Sequence, residues 1–141
     1  MQTAKQQKKV IRKLIRKKRK ALSIGDQKRA SQKLIHILLH NPDFIKARHV
    51  AIYLASDGEI SQNLLLSSND LRLKNKQFYV PIVQKNKSRH LHFTKINKHT
   101  PLKRNLYGIF EPKQVKPIQN WSLDLVLMPL VAFTKEGLRL G

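Results

Sequence analysis

The chain has 141 residues, 40% of them hydrophobic, with five glycines and six prolines. That is the size and composition of one globular domain around one core, not of a disordered or fibrous chain. Against 8 Asp and Glu stand 29 Lys and Arg, a formal charge of +21, which calls for an anionic partner without choosing among RNA, DNA, anionic lipid, ATP and polyanionic metabolites.

The absence of cysteine excludes a disulfide scaffold, a zinc-thiolate site and a thiol nucleophile, and it fits a reducing compartment, with the cytoplasm as the default. No apolar run approaches the roughly 20 residues that span a bilayer, and the lysine-rich N-terminus is not followed by the apolar stretch of a signal peptide. A soluble, unexported protein with no membrane partner is expected.

From Thr3 to Leu22 neither Pro nor Gly interrupts a helical pattern. At about 100° per residue, Ala4, Val10, Ile11, Leu14, Ile15, Ala21 and Leu22 share one face, and Lys5, Lys8, Arg12, Arg16 and Arg19 another, which predicts an amphipathic helix with a basic stripe. Ser23 and Asp26 supply a capping pattern for a second helix carrying Ala30, Leu34, Ile37 and Leu38, which Asn41-Pro42 breaks. Val50 to Ala55 reads as a short strand stopped by the turn chemistry of Asp57-Gly58. Ser61 is placed to cap a third helix running through Leu73. Phe78 to Val83 reads as a strand whose Pro81 points to an edge position or a strand end. His90 to Ile96 reads as a weaker strand. Leu123 to Phe133 is nearly continuous in apolar residues, the pattern of a parallel strand covered on both faces, and is the best candidate for a core strand. This order predicts an α/β fold, a three-layer α/β/α arrangement with a mostly parallel sheet. Ligands are then expected beyond the carboxyl ends of strands, at the loops Ser56 to Ile60 and Thr134 to Gly141.

Several residues carry chemistry or an ordinary alternative to it. The basic stripe can donate charge-assisted hydrogen bonds to phosphates, or it can be a solvated face. Binding of nucleic acid by this helix is the alternative function, although it contains no aromatic residue to stack on bases. Glu59, just past a strand, can accept hydrogen bonds from ring nitrogens or an amino group of a ligand, or serve as a helix N-terminal charge. His90 and His92 lack a nearby acid or Cys to complete a metal site and read as ordinary. Glu136-Gly137-Leu138-Arg139-Leu140-Gly141 has the composition of a loop that lets backbone approach phosphate. There is no Walker-type loop and no Ser/His/Asp set.

In order along the chain, these segments resemble the 5-formyltetrahydrofolate cyclo-ligase (methenyltetrahydrofolate synthetase) family. The resemblance rests on Lys8-x-x-x-Arg12 with Arg16-Lys17-Lys18-Arg19-Lys20-Ala21-Leu22-Ser23, on Tyr53-Leu54 with Asp57-Gly58-Glu59-Ile60, and on Asn105-x-x-Gly108-Ile109-x-Glu111-Pro112. Leu123-Asp124-Leu125-Val126-Leu127-x-Pro129-Leu130, running into Gly137-x-Arg139-Leu140-Gly141, completes it across essentially the whole of residues 1–141. It implies ATP- and magnesium-dependent conversion of 5-formyltetrahydrofolate, which can be polyglutamylated, to 5,10-methenyltetrahydrofolate with release of ADP and phosphate. It also implies that Lys8, Lys9, Val10, Ile11, Arg12, Arg139, Leu140 and Gly141 contact ATP, and that Leu54 and Glu59 hold the folate. The family's motif continues past Gly141 into a glycine-rich stretch ending in Tyr-Tyr-Asp, where a magnesium ligand lies. Residues 1–141 are therefore expected to be a single cyclo-ligase-like domain lacking its C-terminal part, with little turnover and poor solubility. Thr134 departs from the family, which commonly has Asp there.

Overall fold

The computed structural model describes residues 3–83, 91–119 and 122–141. Helix α1 spans Ala4–Lys20, and its start follows from a reciprocal cap: the Gln6 amide donates to Thr3 Oγ1 at 3.3 Å while the Thr3 amide donates to Gln6 Oε1 at 2.8 Å. Helix α2, Ile24–Leu39, begins where the Ser23 hydroxyl accepts the Asp26 amide at 3.0 Å. Asn41-Pro42 ends that helix as expected and also begins another. The Asn41 side chain accepts the Phe44 amide at 3.0 Å, and Pro42 sits in the first turn of α3, Pro42–Lys46, where its missing N–H costs nothing.

The strands that follow are β1 (His49–Ala51), β2 (Gln77–Ile82), β3 (His92–Ile96), β4 (Leu102–Arg104), β5 (Phe110–Pro112), β6 (Pro117–Ile118), β7 (Leu125–Val126), β8 (Ala132–Phe133) and β9 (Arg139–Leu140). Between β1 and β2 lie a short helix α4, Leu64–Ser67, and a single 3-10 turn, Leu71–Leu73. The main sheet has the order β6-β3-β2-β1-β7, and β4-β5 and β8-β9 form separate hairpins. Strand β1 is parallel to β2, with Val50 opposite Phe78, and to β7, with Val50 opposite Leu125. Strand β3 runs antiparallel to both β2 and β6, so β6, β2, β1 and β7 share one direction and β3 alone opposes them. The α/β class and the mostly parallel sheet are as the sequence predicts.

The two-residue period of the strands divides the core. Val50, Ile52, Phe78 and Val80 face α2, α3 and α4, where Leu38, Phe44 and Leu65 close the larger apolar cluster. Ala51, Tyr79 and Phe93 face the other way and pack with Ile118 and Leu123. Burying a side chain as completely as Phe44, Val50 or Ile52 contributes roughly 1.5–3 kcal/mol. No residue of α1 is buried, so its apolar stripe of Val10, Ile11 and Leu14 is exposed.

Two expectations need correction. The helix expected from Ser61 to Leu73 is reduced to α4 and the 3-10 turn. Short polar side chains compete for its backbone: Ser68 Oγ accepts the Asp70 amide at 3.1 Å, and Asp70 Oδ1 accepts the Arg72 amide at 2.9 Å. The run Leu123 to Phe133 is not one covered core strand. Pro129 lies between β7 and β8, β7 pairs with β1 alone among the described residues, and Val126 is 42% exposed. Pro81, read as an edge position or a strand end, is at a strand end: it stands one residue before the last of β2 and two past the last β1 partner, Tyr79, so it withdraws no donor from the β1 ladder.

Candidate functional site

The loop after β1 leaves the carboxyl end of a central parallel strand, where ligands of open α/β sheets bind. It is held closed by its own backbone and one side chain. The Glu59 amide donates to the Ser56 carbonyl at 3.0 Å, and Glu59 Oε2 accepts the Ser56 amide at 3.1 Å. A carboxylate has about four acceptor positions, so this bond uses only part of the capacity of Glu59. Beside it, Tyr53 donates its hydroxyl to the Ile60 carbonyl at 3.2 Å. Burial, and secondly the negative charge of Glu59, push the Tyr53 phenol above its ordinary pKa. Both side chains line a cleft of about 240 Å³ that Arg19 and Leu22 wall from α1's end, Gln27 and Ala30 from α2, and Leu130 from the segment after β7. Leu54 is half-buried and packs against the larger apolar cluster.

The C-terminal end of α1 is fastened to this loop through Asp57. Arg19 Nε donates to the Asp57 carbonyl at 2.9 Å, and Arg19 Nη2, Lys20 Nζ and Arg16 Nε lie 3.2, 2.5 and 3.6 Å from its carboxylate oxygens. The hydrogen bond from Lys20, reinforced by the charges of Arg19 and Arg16, holds the Asp57 carboxyl below the usual carboxylate range. Asp57 has φ 52° and Gly58 φ 73°. A Cβ at Gly58 would meet the Arg19 carbonyl at 3.4 Å, an ordinary contact, so it is the positive φ that favours glycine there.

The middle of α1 meets the C-terminal segment. Arg12 Nε donates to the Gly141 carbonyl at 2.6 Å. Lys8, Lys9, Val10 and Ile11 lie on exposed turns of the helix immediately before it. The segment Thr134 to Gly141 is a hairpin: the Thr134 amide donates to the Leu138 carbonyl and the Thr134 carbonyl accepts the Gly137 amide, both at 3.0 Å, with Gly137, at φ 84°, in the turn between β8 and β9. Thr134 also accepts the Leu138 amide on its hydroxyl at 3.3 Å. Arg139 Nη2 donates to the Pro129 carbonyl at 3.3 Å, and Leu140 pairs with Ala132. The structure thus brings Arg12 to Gly141, with Arg139 and Leu140 on the adjoining strand, while Glu59 sits at the other end of α1. The two sets are joined by the helix.

Sequence reasoning gave ligand-holding roles to Leu54 and Glu59, read Asp57 as turn chemistry and Arg19 as part of the basic stripe, and took Tyr53 only as part of the family motif; it did not join Arg19 to Asp57. The available signal was an isolated acid at a turn in a strongly basic chain. The motif Asn105 to Pro112 is explained by a turn: Asn105 Oδ1 accepts the amides of Tyr107 and Ile109 at 2.9 and 3.1 Å, and Gly108 has φ 72°. A larger groove of about 1030 Å³ lies at the opposite end of the parallel strands, lined by Arg48, His49 and Gln77. Its Lys76 ammonium is already committed to the carbonyls of Phe44, Ile45 and Ala47 at 2.5, 3.0 and 2.6 Å. Among the described residues no group of three or more His, Asp or Glu side chains could hold a metal ion. The pair His90 and His92 cannot be assessed, because His90 lies outside the described residues.

A basic helix laid across the carboxyl-end loops of a mostly parallel sheet defines an α/β protein with a cleft at the strand ends. More specifically, the chain belongs to the 5-formyltetrahydrofolate cyclo-ligase family, a family of ligases whose model matches residues 4–141. It is 38% identical over 145 aligned positions to the 5-formyltetrahydrofolate cyclo-ligase of Haemophilus influenzae, covering 100% of this chain and 74% of that protein. It is 31% identical to the enzyme of the same name from Escherichia coli K12, over 91% of this chain and 70% of that one. The solved structure of Aquifex aeolicus 5,10-methenyltetrahydrofolate synthetase matches with a TM-score of 0.77 and 30% identity, over 95% of this chain and 66% of that one. A Mycoplasma pneumoniae 5,10-methenyltetrahydrofolate synthetase shares the fold, with a TM-score of 0.64 at 20% identity. The chain spans about two-thirds to three-quarters of the length of these relatives. No helix among the described residues is long and apolar enough to cross a membrane.

Proposed function

We propose that this chain acts in the ATP-dependent conversion of 5-formyltetrahydrofolate to 5,10-methenyltetrahydrofolate, with ADP and phosphate released. One observation carries the reading: Glu59 and Tyr53 share a cleft at the carboxyl end of β1 that a basic helix closes, in a chain of this family. The carboxylate of Glu59 is suited to accept N–H groups of the pterin, and Leu54 supplies apolar packing beside it. Lys8, Lys9 and Arg12, with Val10 and Ile11 on the same turns, are assigned to the triphosphate together with Arg139, Leu140 and Gly141. The formyl oxygen is a poor leaving group. Transfer of the γ-phosphoryl group to it would let N10 attack the formyl carbon and expel phosphate, a reaction that depends on positioning and charge neutralisation.

Magnesium belongs to the reading as the nucleotide's counter-ion; among the described residues no group of three or more His, Asp or Glu side chains could hold it. A polyglutamylated folate suits a chain of +21, and the cytoplasm suits a chain without cysteine. Residues 1–141 are read as belonging to one domain. Titration calorimetry of the purified chain with 5-formyltetrahydrofolate, and separately with a non-hydrolysable ATP analogue, tests the proposal. Both should bind. Glu59→Gln should weaken the folate, and Arg12→Ala the nucleotide, about 10- to 100-fold, the range for losing a charged hydrogen bond. A wild-type chain that binds no folate would overturn the reading.

A further inference from the structure

Helix α1 has no fully buried residue, and of its apolar stripe only Ile15 is half-buried, so the helix is held lightly by apolar packing. Its described side-chain attachments to the rest of the molecule are polar and fall at two places. Arg12 reaches the Gly141 carbonyl at 2.6 Å, and Arg16, Arg19 and Lys20 converge on Asp57. Lys8, Arg12, Arg16 and Lys20 follow one another at intervals of four, so they form a single stripe along a rigid rod that rises about 1.5 Å per residue. Arg12 and Lys20 are therefore separated by roughly 12 Å of helix, and a turn or slide of one end is felt at the other.

At the far end, the loop is poised to report such a movement. Asp57 is the one non-glycine residue with positive φ among the described residues. It adjoins Gly58, where an added Cβ would lie 3.4 Å from the Arg19 carbonyl in the last turn of α1, and stands two residues before Glu59. The Arg19 side chain both grips Asp57 and walls the cleft that Glu59 lines. In a chain with 8 acids and 29 Lys and Arg, three cations on one carboxylate is a concentrated use of negative charge.

We propose that Asp57 is a positioning residue that couples the nucleotide end of α1 to the Glu59 loop, so that an anion held at Lys8 and Arg12 strengthens folate binding at Glu59, and the reverse. The inference rests on the cyclo-ligase reading and adds to it a linkage between the two ligands. Such linkage is reciprocal, and each ligand changes the affinity of the other by the same factor.

Asp57→Asn is the informative variant, because Asn tolerates positive φ as Asp does and keeps a carbonyl oxygen while removing the charge that gathers the three cations. Folate affinity is measured by calorimetry with and without a saturating non-hydrolysable ATP analogue, in the wild type and the variant. A wild-type enhancement of about fivefold or more is expected, at the lower bound of common coupling. In Asp57→Asn that factor should fall to within twofold of unity, while each ligand alone binds within about twofold of wild type and the melting temperature is retained. Arg19→Gln, which breaks the same contact from the helix side, should also lose the coupling. Amide exchange gives a second readout: the nucleotide analogue should slow exchange across residues 56–60 in the wild type and not in Asp57→Asn. Persistence of the coupling in both variants overturns the inference, as does wild-type binding of both ligands without coupling. Failure of the wild type to bind folate at all is the distinct result that sinks the activity reading, and the coupling with it.

Discussion

Asp124 illustrates how single carboxylates organise this basic chain. Its Oδ2 accepts the amides of Arg48 and His49, both at 2.8 Å, tying the start of β1 to the segment that becomes β7. Those two amides hold its pKa below the ordinary value. Asp57 is lowered by Lys20 and its neighbouring cations, and Asp70, through hydrogen bonds from the Arg72 side chain and amide, is held at about 2. A carboxyl whose folded pKa is depressed contributes stability above its unfolded pKa, near 3.9, and loses it as pH falls through the folded value. Urea midpoints should therefore show no change from these groups between about pH 5 and 8. They should decline below about pH 4, with the share of Asp70 surviving towards pH 2. Asp124→Asn should remove part of that acid slope, and an unchanged slope would refute its assigned role. These roles were hard to read from sequence because each depends on residues far along the chain: Asp57 meets α1 38 positions from Arg19, and Asp124 meets β1 75 positions from His49. The bond between Glu59 and Ser56, by contrast, closes within a single short loop, and the place of that loop after a strand is readable locally.

At the scale of elements, stability is concentrated under α2, α3 and α4 and is slight beneath α1. Phe44 is fully buried between α3 and the sheet, and Lys76 adds a cation over its ring at 4.8 Å from the centroid. Phe44→Ala should cost about 3–5 kcal/mol in urea unfolding, the usual range for emptying a packed aromatic site. Val10→Ala on the exposed stripe of α1 should change stability by no more than about 0.5 kcal/mol. Equal losses at the two sites would contradict the division seen in the fold. The first helix was legible from its unbroken helical periodicity and the second from its Ser23 cap, which acts within a few residues of itself. The third was not, since Ser68 and Asp70 also act locally but against the helix. Leu123 to Phe133 misled for a tertiary reason: its composition suits a covered strand, yet Pro129 divides it and its outer edge has no strand beside it among the described residues.

The whole molecule carries +21 on a core that occupies mainly one face of the sheet. Like charges at this density oppose the compact state, and salt screens them over about 8–10 Å at physiological ionic strength. The melting temperature should rise as sodium chloride increases from low levels towards physiological strength; a steady fall would mean that the attractive pairs around Asp57 outweigh the general repulsion. The class of fold was legible at this scale from the order of elements alone. The reversed direction of β3 was not, because hydrophobic patterning does not encode strand direction.

The same excess of charge bears on the edge of β7, which has no second strand beside it among the described residues. Backbone groups on an unpaired strand can template pairing with another copy. Mutual repulsion between molecules of +21 acts as a colloidal barrier that keeps those edges apart in dilute buffer. A polyanion that neutralises the surface would lower that barrier without touching the fold. The conditions that favour binding of an anionic ligand and those that keep the protein dispersed therefore pull against one another.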